Sequence, residues 1–100
     1  MIITVDGFVN LGAAAGAAGY QGTNRTRFLS IINDNAETVY IHLTNSGDDA
    51  PATSTDGVPI GQGAPAIDFN ITDASADIGL MWLYSANPVD VKVNAIGESQ

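Results

Sequence analysis

The sequence predicts an all-β fold, a single small antiparallel β-sandwich or jelly-roll-like barrel of about seven to eight strands. Short runs of β-branched and aromatic residues alternate with polar residues, as in half-buried strands. Turn-forming residues separate these runs at intervals of roughly 8–12 residues, which is typical of such folds. No segment has the heptad spacing of a coiled coil, and no internal repeat is visible.

The first 24 residues are predicted to form an N-terminal strand and a Gly/Ala-rich interface arm. The run "IITVDGFV" (2–9) is rich in strand-forming residues, and Gly7 is expected to mark a bulge or a close backbone approach. In "LGAAAGAAGYQG" (11–22), alanine favours a helix, but each glycine costs about 1 kcal/mol relative to alanine. We therefore expect no stable solitary helix. The segment is either a flexible connection or a small-residue surface on which another chain packs.

Residues 25–97 are predicted to form the core sandwich. Both faces of the run 25–33 are partly apolar, which predicts a strand inside the fold. The run 38–44 alternates strictly and predicts a half-buried strand. Because Asn and Asp at 33–37 favour a turn, we expect the two runs to form a hairpin. The predicted inward face of the second run holds Val39, Ile41 and Leu43, and its polar face holds Tyr40, His42 and Thr44.

The second half of the chain predicts a long loop followed by four more strands. The loop covers 45–57, which has no large apolar residue. The strands are expected at 58–60, 66–71, 78–85 and 89–96, with turns at 61–65, 72–77 and 86–88 and a fraying tail at 97–100. The predicted inward faces of the last two strands hold Ile78, Leu80, Trp82 and Tyr84, and then Val89, Val91, Val93 and Ala95.

Length and charge limit the kinds of function. One hundred residues make one domain, 1–100. Fourteen of its 45 apolar residues are alanine, so the hydrophobic core is expected to be modest. Because there is no cysteine, no disulfide bond can stabilise it, and this favours oligomerisation. The net charge of −8 disfavours binding to nucleic acid or to an anionic membrane. Because the N-terminus lacks a basic leader and no run approaches the ~20 apolar residues of a membrane helix, we expect a mature protein made in a cytoplasm.

The sequence offers few candidates for chemistry. His42 is the only histidine and there is no cysteine, so we expect no zinc site and interpret His42 as an exposed strand residue or a subunit contact. Asp48, Asp49 and Asp56 are interpreted as a solvated acidic loop, with calcium binding as the alternative. Trp82 and Tyr84 are interpreted as core, with a sugar-stacking platform as the alternative. We expect no enzymatic activity, no catalytic residues and no cofactor.

Three stretches carry a resemblance to a known family. They are "NRTRFLSIINDNAETVYIHLTNSG", "STDGVPIGQGAPAIDF" and "DIGLMWLYSANPVDVKVNAIGE". This order of elements resembles small β-sandwich virion proteins of tailed bacteriophages, of the capsid decoration (cement) or head-fibre type. The matching stretches are residues 27–33, 39–41, 57–63, 69, 78–83 and 89–97, about the last three-quarters of the chain.

The resemblance implies a structural protein without a catalytic motif, located on the outside of a capsid. It implies a homo-oligomer, most often a trimer, that binds the major capsid protein. We expect the contact surface in the N-terminal segment, the part least needed for the core. The candidate interface residues are Ile2, Ile3, Phe8, Leu11 and Tyr20. The alternative function is a receptor- or glycan-binding module of a head fibre or tail spike, with Tyr40, His42 and the 45–57 loop as its contact surface.

Overall fold

The computed structural model describes residues 1–20, 25–53, 55–62, 67–70 and 76–97. The described chain is mostly antiparallel β-sheet, which confirms the all-β prediction. Its elements are β1 (Ile2–Asn10), α1 (Leu11–Ala17), β2 (Arg25–Ile32), β3 (Val39–Leu43), β4 (Val58–Ile60), β5 (Ile67–Asn70), β6 (Ala76–Asp77), a 3-10 helix (Ile78–Leu80) and β7 (Met81–Gly97). The predicted turns at 61–65 and 72–77 and the tail at 97–100 lie largely outside the described residues.

Strand β7 organises the sheet. Five strands follow one path in the order β4-β3-β7-β2-β5, while β1 pairs with β7 and β6 pairs with β2. Trp82 lies opposite Asn10 of β1 and His42 of β3, and Lys92 lies opposite Ile2 of β1 and Ile32 of β2. β1 pairs with one edge of β7 near both Trp82 and Lys92. On the other edge, β3 therefore pairs with the part of β7 near Trp82, and β2 with the part near Lys92.

The predicted hairpin of β2 and β3 is therefore wrong. Both strands run antiparallel to β7 and lie in line along it, without pairing with each other. The segment between them does not reverse the chain, because buried Asn33 holds it in place. The Nδ2 of Asn33 donates to the carbonyl oxygens of Glu37 at 2.6 Å and Ile60 at 2.8 Å, and its Oδ1 accepts from the N–H of Asn35 at 2.9 Å.

The two predicted final strands are one strand, and the predicted turn at 86–88 is a bulge within it. Val5 pairs with Val89 and Gly7 pairs with Ser85, so residues 86–88 lie opposite Asp6. Gly7 has a φ of 65°, a conformation that favours glycine, which confirms the predicted bulge. Ser85 Oγ donates to the carbonyl of Asn87 within the bulge. The ladder continues on both sides, so the chain passes this point without turning back.

The start of the run 78–85 also differs from the prediction. Residues Ile78–Leu80 form a 3-10 helix, and the Asp77 side chain accepts from the N–H of Gly79 at 2.8 Å. This turn moves the inward face to Met81 and Leu83, while Trp82 and Tyr84 point to the other side of the sheet. The predicted inward positions Val89, Val91 and Val93 are confirmed as buried.

A helix forms where none was expected. The side chain of Asn10 caps α1 by accepting from the N–H of Ala13 at 3.0 Å. Leu11, Gly12 and Ala15 are buried, and the helix packs against the 3-10 helix and β1. Tertiary packing and the cap thus outweigh the glycine cost. None of the helices in the described ranges is long and apolar enough to cross a membrane.

The core lies on one face of the sheet and includes the N-terminal segment. Ile3, Val5, Leu11 and Ala15 all belong to it. This corrects the expectation that the N-terminal segment is the part least needed for the core. Together with them, the core contains Leu29, Ile31, Val39, Ile41, Ile60, Ile78, Met81, Leu83, Val89, Val91 and Val93.

Candidate functional site: an aromatic face of the sheet

The face opposite the core carries a row of aromatic side chains. Phe8 of β1 pairs with Tyr84 of β7, Tyr84 pairs with Tyr40 of β3, and Tyr40 pairs with Pro59 of β4. The ring centroids are 4.9 Å apart for Phe8 and Tyr84 and 6.4 Å apart for Tyr84 and Tyr40. We call Phe8, Tyr84 and Tyr40 the aromatic row. It crosses three strands at one level of the sheet.

The aromatic row is only half covered. Its three side chains are each half-buried, and Pro59 beyond Tyr40 is exposed. Cross-strand aromatic pairs contribute roughly 0.5–1.5 kcal/mol beyond their buried area, so the row stabilises the sheet. The remaining ring surface is open to a ligand. The row can therefore serve both the fold and recognition.

His42 and Trp82 lie beside the row on the same face. They pair with each other across β3 and β7, and the rings of His42 and Phe8 meet edge to face at 5.5 Å. His42 is 7% exposed, so the expectation of an exposed histidine is wrong. It is buried in part because Gly57, at the end of the 45–57 loop, lies directly against its ring. Trp82, 9% exposed, is likewise covered by the loop and stands outside the main core.

Several hydrogen bonds attach the beginning of this loop to the sheet. Trp82 Nε1 donates to the carbonyl of Ser46 at 2.9 Å. Thr44 Oγ1, directly before the loop, donates to the carbonyl of Leu80 at 2.8 Å, and Asn10 Nδ2 lies 3.5 Å from the carbonyl oxygen of Gly47 in the loop. The loop predicted from its polar composition is therefore anchored at its start to the 3-10 helix and β7.

The acidic residues of the loop do not assemble a metal site. Asp48 and Asp49 donate their backbone N–H groups to Ser46 Oγ at 3.2 and 3.1 Å, which makes a local turn. Asp56 is well exposed and lies 3.6 Å from His42 Nδ1. Among the residues that the structure describes, no group of three or more His, Asp or Glu side chains could hold a metal ion.

The structure separates the five predicted interface residues. Ile3 and Leu11 are buried within this chain, Phe8 belongs to the aromatic row, and Ile2 is 55% exposed at the far end of β1. Tyr20 packs against the core, and burial raises the pKa of its phenol. Only Ile2 is thus well exposed to a partner, while Phe8, toward the opposite end of β1, and Tyr20 are partly buried.

Tyr84 was interpreted as a core residue, with a sugar-stacking platform shared with Trp82 as the alternative, and the structure places it half-buried on the outer face. Its alternation with Trp82 was visible, but the 3-10 turn that assigns both to the outer face was not. The neighbourhood of Phe8, Tyr84 and Tyr40 depends on strands distant in sequence, and no local signal predicts it.

A groove lies on the same face of the sheet as the aromatic row, at the other end of that face. It encloses about 330 Å³ beside Lys92, whose ammonium lies 2.8 Å from the Asp34 carboxylate. Its lining residues are Met1, Ile2, Ser30, Ile32, Lys92, Val93 and Asn94. This groove is shallow, and both residues of its lining that carry a charge already have a partner. Lys92 pairs with Asp34, and the N-terminal ammonium of Met1 donates to the carbonyl of Val93 at 2.7 Å.

Comparison with known proteins found no match: no family model, no curated protein and no solved structure is significantly similar to this chain.

Proposed function

We propose that this protein is a structural virion component, a homotrimeric capsid decoration protein on the exterior of a bacteriophage head that binds the major capsid protein. The order of sequence elements described above supports the viral assignment. The observation that carries a structural role is the exposed apolar surface of a small acidic domain. Leu43 is 67% exposed, Val58 is 56% exposed and Ile2 is 55% exposed.

Leu43 and Val58 form the most suitable patch for subunit contact. Val58 pairs with Ile41, two residues before Leu43, so both side chains lie on the same face of neighbouring strands. β4 is also the last strand on the described path of the sheet. Since each copy carries −8, copies repel each other, and association requires apolar contacts of this kind.

The proposal includes a two-layer sandwich. β1 and β7 each have a bulge where Asp6 lies opposite residues 86–88. On the other side of β7, the break between β3 and β2 lies close to the same position, so the sheet is interrupted across its width there. Bulges bend strands and increase their twist. A sheet that folds over at this level would enclose its single apolar face, which supports a sandwich of the predicted type.

The test is the mass in solution together with binding to capsids that lack this protein. Wild-type protein should be a trimer by light scattering and should bind the capsids. The double variant Leu43→Ser, Val58→Ser should lose the trimer, while Ile32→Ser, at a less exposed apolar position on the opposite face, should keep it. The proposal would be refuted if the wild-type protein is a monomer at high concentration and does not bind the capsids.

A second candidate function is a receptor- or glycan-binding module of a fibre or spike. The observation that favours it is the half-exposed aromatic row, because aromatic rings stack on sugars and on other planar or apolar groups. Screening on a glycan array tests one form of this function. A reproducible hit that Tyr40→Ala abolishes would support glycan binding, whereas a hit unaffected by this substitution would place binding elsewhere.

A further inference from the structure

We infer that the aromatic row binds an extended, positively charged segment of a partner protein, with a Lys or Arg side chain placed over the rings of Tyr84 and Tyr40. The inference rests on the second candidate function, recognition through the aromatic row, and names its ligand class. It does not depend on capsid binding or on trimer formation.

The shape of the row suits an extended chain. Its three rings lie 4.9 and 6.4 Å apart, and neighbouring rings are tilted by 51° and 43°. In an extended strand, alternate side chains point to the same side and are separated by about 6–7 Å. Side chains at positions i and i+2 of such a segment can therefore contact successive rings. The exposed Pro59 extends the apolar surface by one more strand.

The charge around the row selects a cation. Asp6 is exposed in the bulge of β1, two residues before Phe8. Asp56 is a second exposed acidic group near the row. It lies beside His42, whose ring contacts Phe8. The Glu37 carboxylate accepts a hydrogen bond from Asn87 Nδ2 at 2.9 Å, which holds a third acidic group three residues before Tyr40.

The strand positions that carry Lys92, Arg25 and Arg27 lie away from the row. Lys92 is opposite Ile2, six residues along β1 from Phe8, or about 20 Å at the rise of a strand. Arg25 and Arg27 belong to β2, which pairs with the other half of β7. Asp6, Asp56 and Glu37, the charged groups described around the row, are all acidic.

These features favour a basic peptide over the other ligands that aromatic rings accept. A cation above a Tyr or Phe ring is attracted by the ring quadrupole, and surrounding carboxylates strengthen this attraction. Nucleic acid stacks on aromatic rings too, but the acidic rim repels phosphates. A neutral sugar can donate hydrogen bonds to these carboxylates, but unlike a cation it forms no ion pair with them.

The experiment is calorimetric titration of the full chain with three ten-residue peptides. One alternates arginine and threonine, which favours an extended strand, the second replaces each arginine with uncharged citrulline, and the third replaces it with glutamate. We expect the arginine peptide to bind, the citrulline peptide to bind at least about tenfold more weakly, and the glutamate peptide not to bind. Higher salt should weaken the interaction.

Variants distinguish ring recognition from general attraction to an acidic protein. Tyr84→Leu and Tyr40→Leu should each weaken binding about fivefold or more, while Tyr40→Phe, which keeps the ring, should retain it. Ile32→Ala, at an exposed site on β2 away from the row, should bind as wild type. Circular dichroism confirms that each variant is folded.

Three results would overturn the inference. They are the absence of binding, equal binding of the arginine and citrulline peptides, and arginine-peptide binding that survives the loss of both tyrosine rings. A glycan hit that requires Tyr40, without peptide binding, would overturn the inference while supporting the second candidate function. Failure of both peptide and glycan binding would count against both.

Discussion

Gly57 lies directly against the buried imidazole of His42. A β-carbon on Gly57 would stand 2.9 Å from His42 Nε2 and 2.5 Å from the carbonyl oxygen of Ile41. Both distances are shorter than side chains tolerate, so any other residue must displace the loop or the strand. Glycine at this position therefore allows the end of the 45–57 loop to close over the sheet.

Substitution of Gly57 by alanine should destabilise the protein. We expect a loss of about 1–3 kcal/mol, the usual cost of overpacking, in the free energy of unfolding measured with urea. Fluorescence of Trp82, the only tryptophan, should shift to the red if the loop moves away. Gly61→Ala is the control, since a β-carbon there meets nothing within 4 Å. Equal stability of the two variants would contradict this account.

Replacement of Asn33 by aspartate should be strongly destabilising. The substitution keeps the shape but removes the Nδ2 donor, leaving the carbonyl oxygens of Glu37 and Ile60 without this partner in a buried site. We expect a cost of about 2 kcal/mol or more. Asn94→Asp, at an exposed position on β7, should cost little. Urea denaturation of both variants compares them, and a tolerated Asn33→Asp would exclude a structural role for the Asn33 amide.

Leu11 and Ile2 should respond differently to truncation. Leu11→Ala removes a fully buried side chain and should cost about 2–5 kcal/mol, whereas Ile2→Ala at an exposed position should cost far less. Thermal unfolding at two protein concentrations measures both effects. If the loss at Leu11 disappears on dilution, then the residue is buried by another copy and the core assignment is wrong.

Helix α1 should become more stable when Gly16 is replaced by alanine. The added β-carbon meets nothing within 4 Å, and the backbone is helical, so we expect a gain of about 0.5–1 kcal/mol. Gly19→Ala is the matched contrast, because its φ of 98° strains other residues and should make the substitution unfavourable. The melting temperatures of the two variants should therefore shift in opposite directions.

Lys92 should titrate above its ordinary range. A hydrogen bond from its ammonium to the Asp34 carboxylate, followed by the attraction between their charges, raises the pKa of Lys92. A raised pKa in the folded state means that the ion pair stabilises the fold below the unfolded pKa of lysine. This contribution is lost as pH rises through the folded pKa. Because the pair is exposed, salt should weaken it.

Nuclear magnetic resonance of the lysine side chain measures this shift. Asp34→Asn should lower the pKa of Lys92 toward its ordinary value, and Asp6→Asn, on a distant part of β1, should leave it unchanged. An identical pKa of Lys92 in wild type and Asp34→Asn would show that the ion pair is absent in solution.

Local patterns were sufficient for much of the fold. Alternation correctly assigned Val39, Ile41, Val89, Val91 and Val93 to the inward face, because side chains in a strand point to opposite faces in turn. The strand 58–60 has its predicted bounds, and Gly7 lies at a bulge as expected from its conformational freedom. Each of these features depends on residues close together in sequence.

Contacts between distant residues decided the rest. A turn-forming sequence at 33–37 does not reveal whether the chain reverses its direction or continues along the sheet. In the structure the chain continues along β7, and the hydrogen bonds of Asn33 to Glu37 and Ile60 hold it in that path. Likewise, Asn10 and the packing of Leu11 give a helix that composition disfavours. The sequence by itself determined which side chains alternate. Only the tertiary structure determined strand register, because register depends on pairing across the sheet, and register is what brings Phe8, Tyr84 and Tyr40 together.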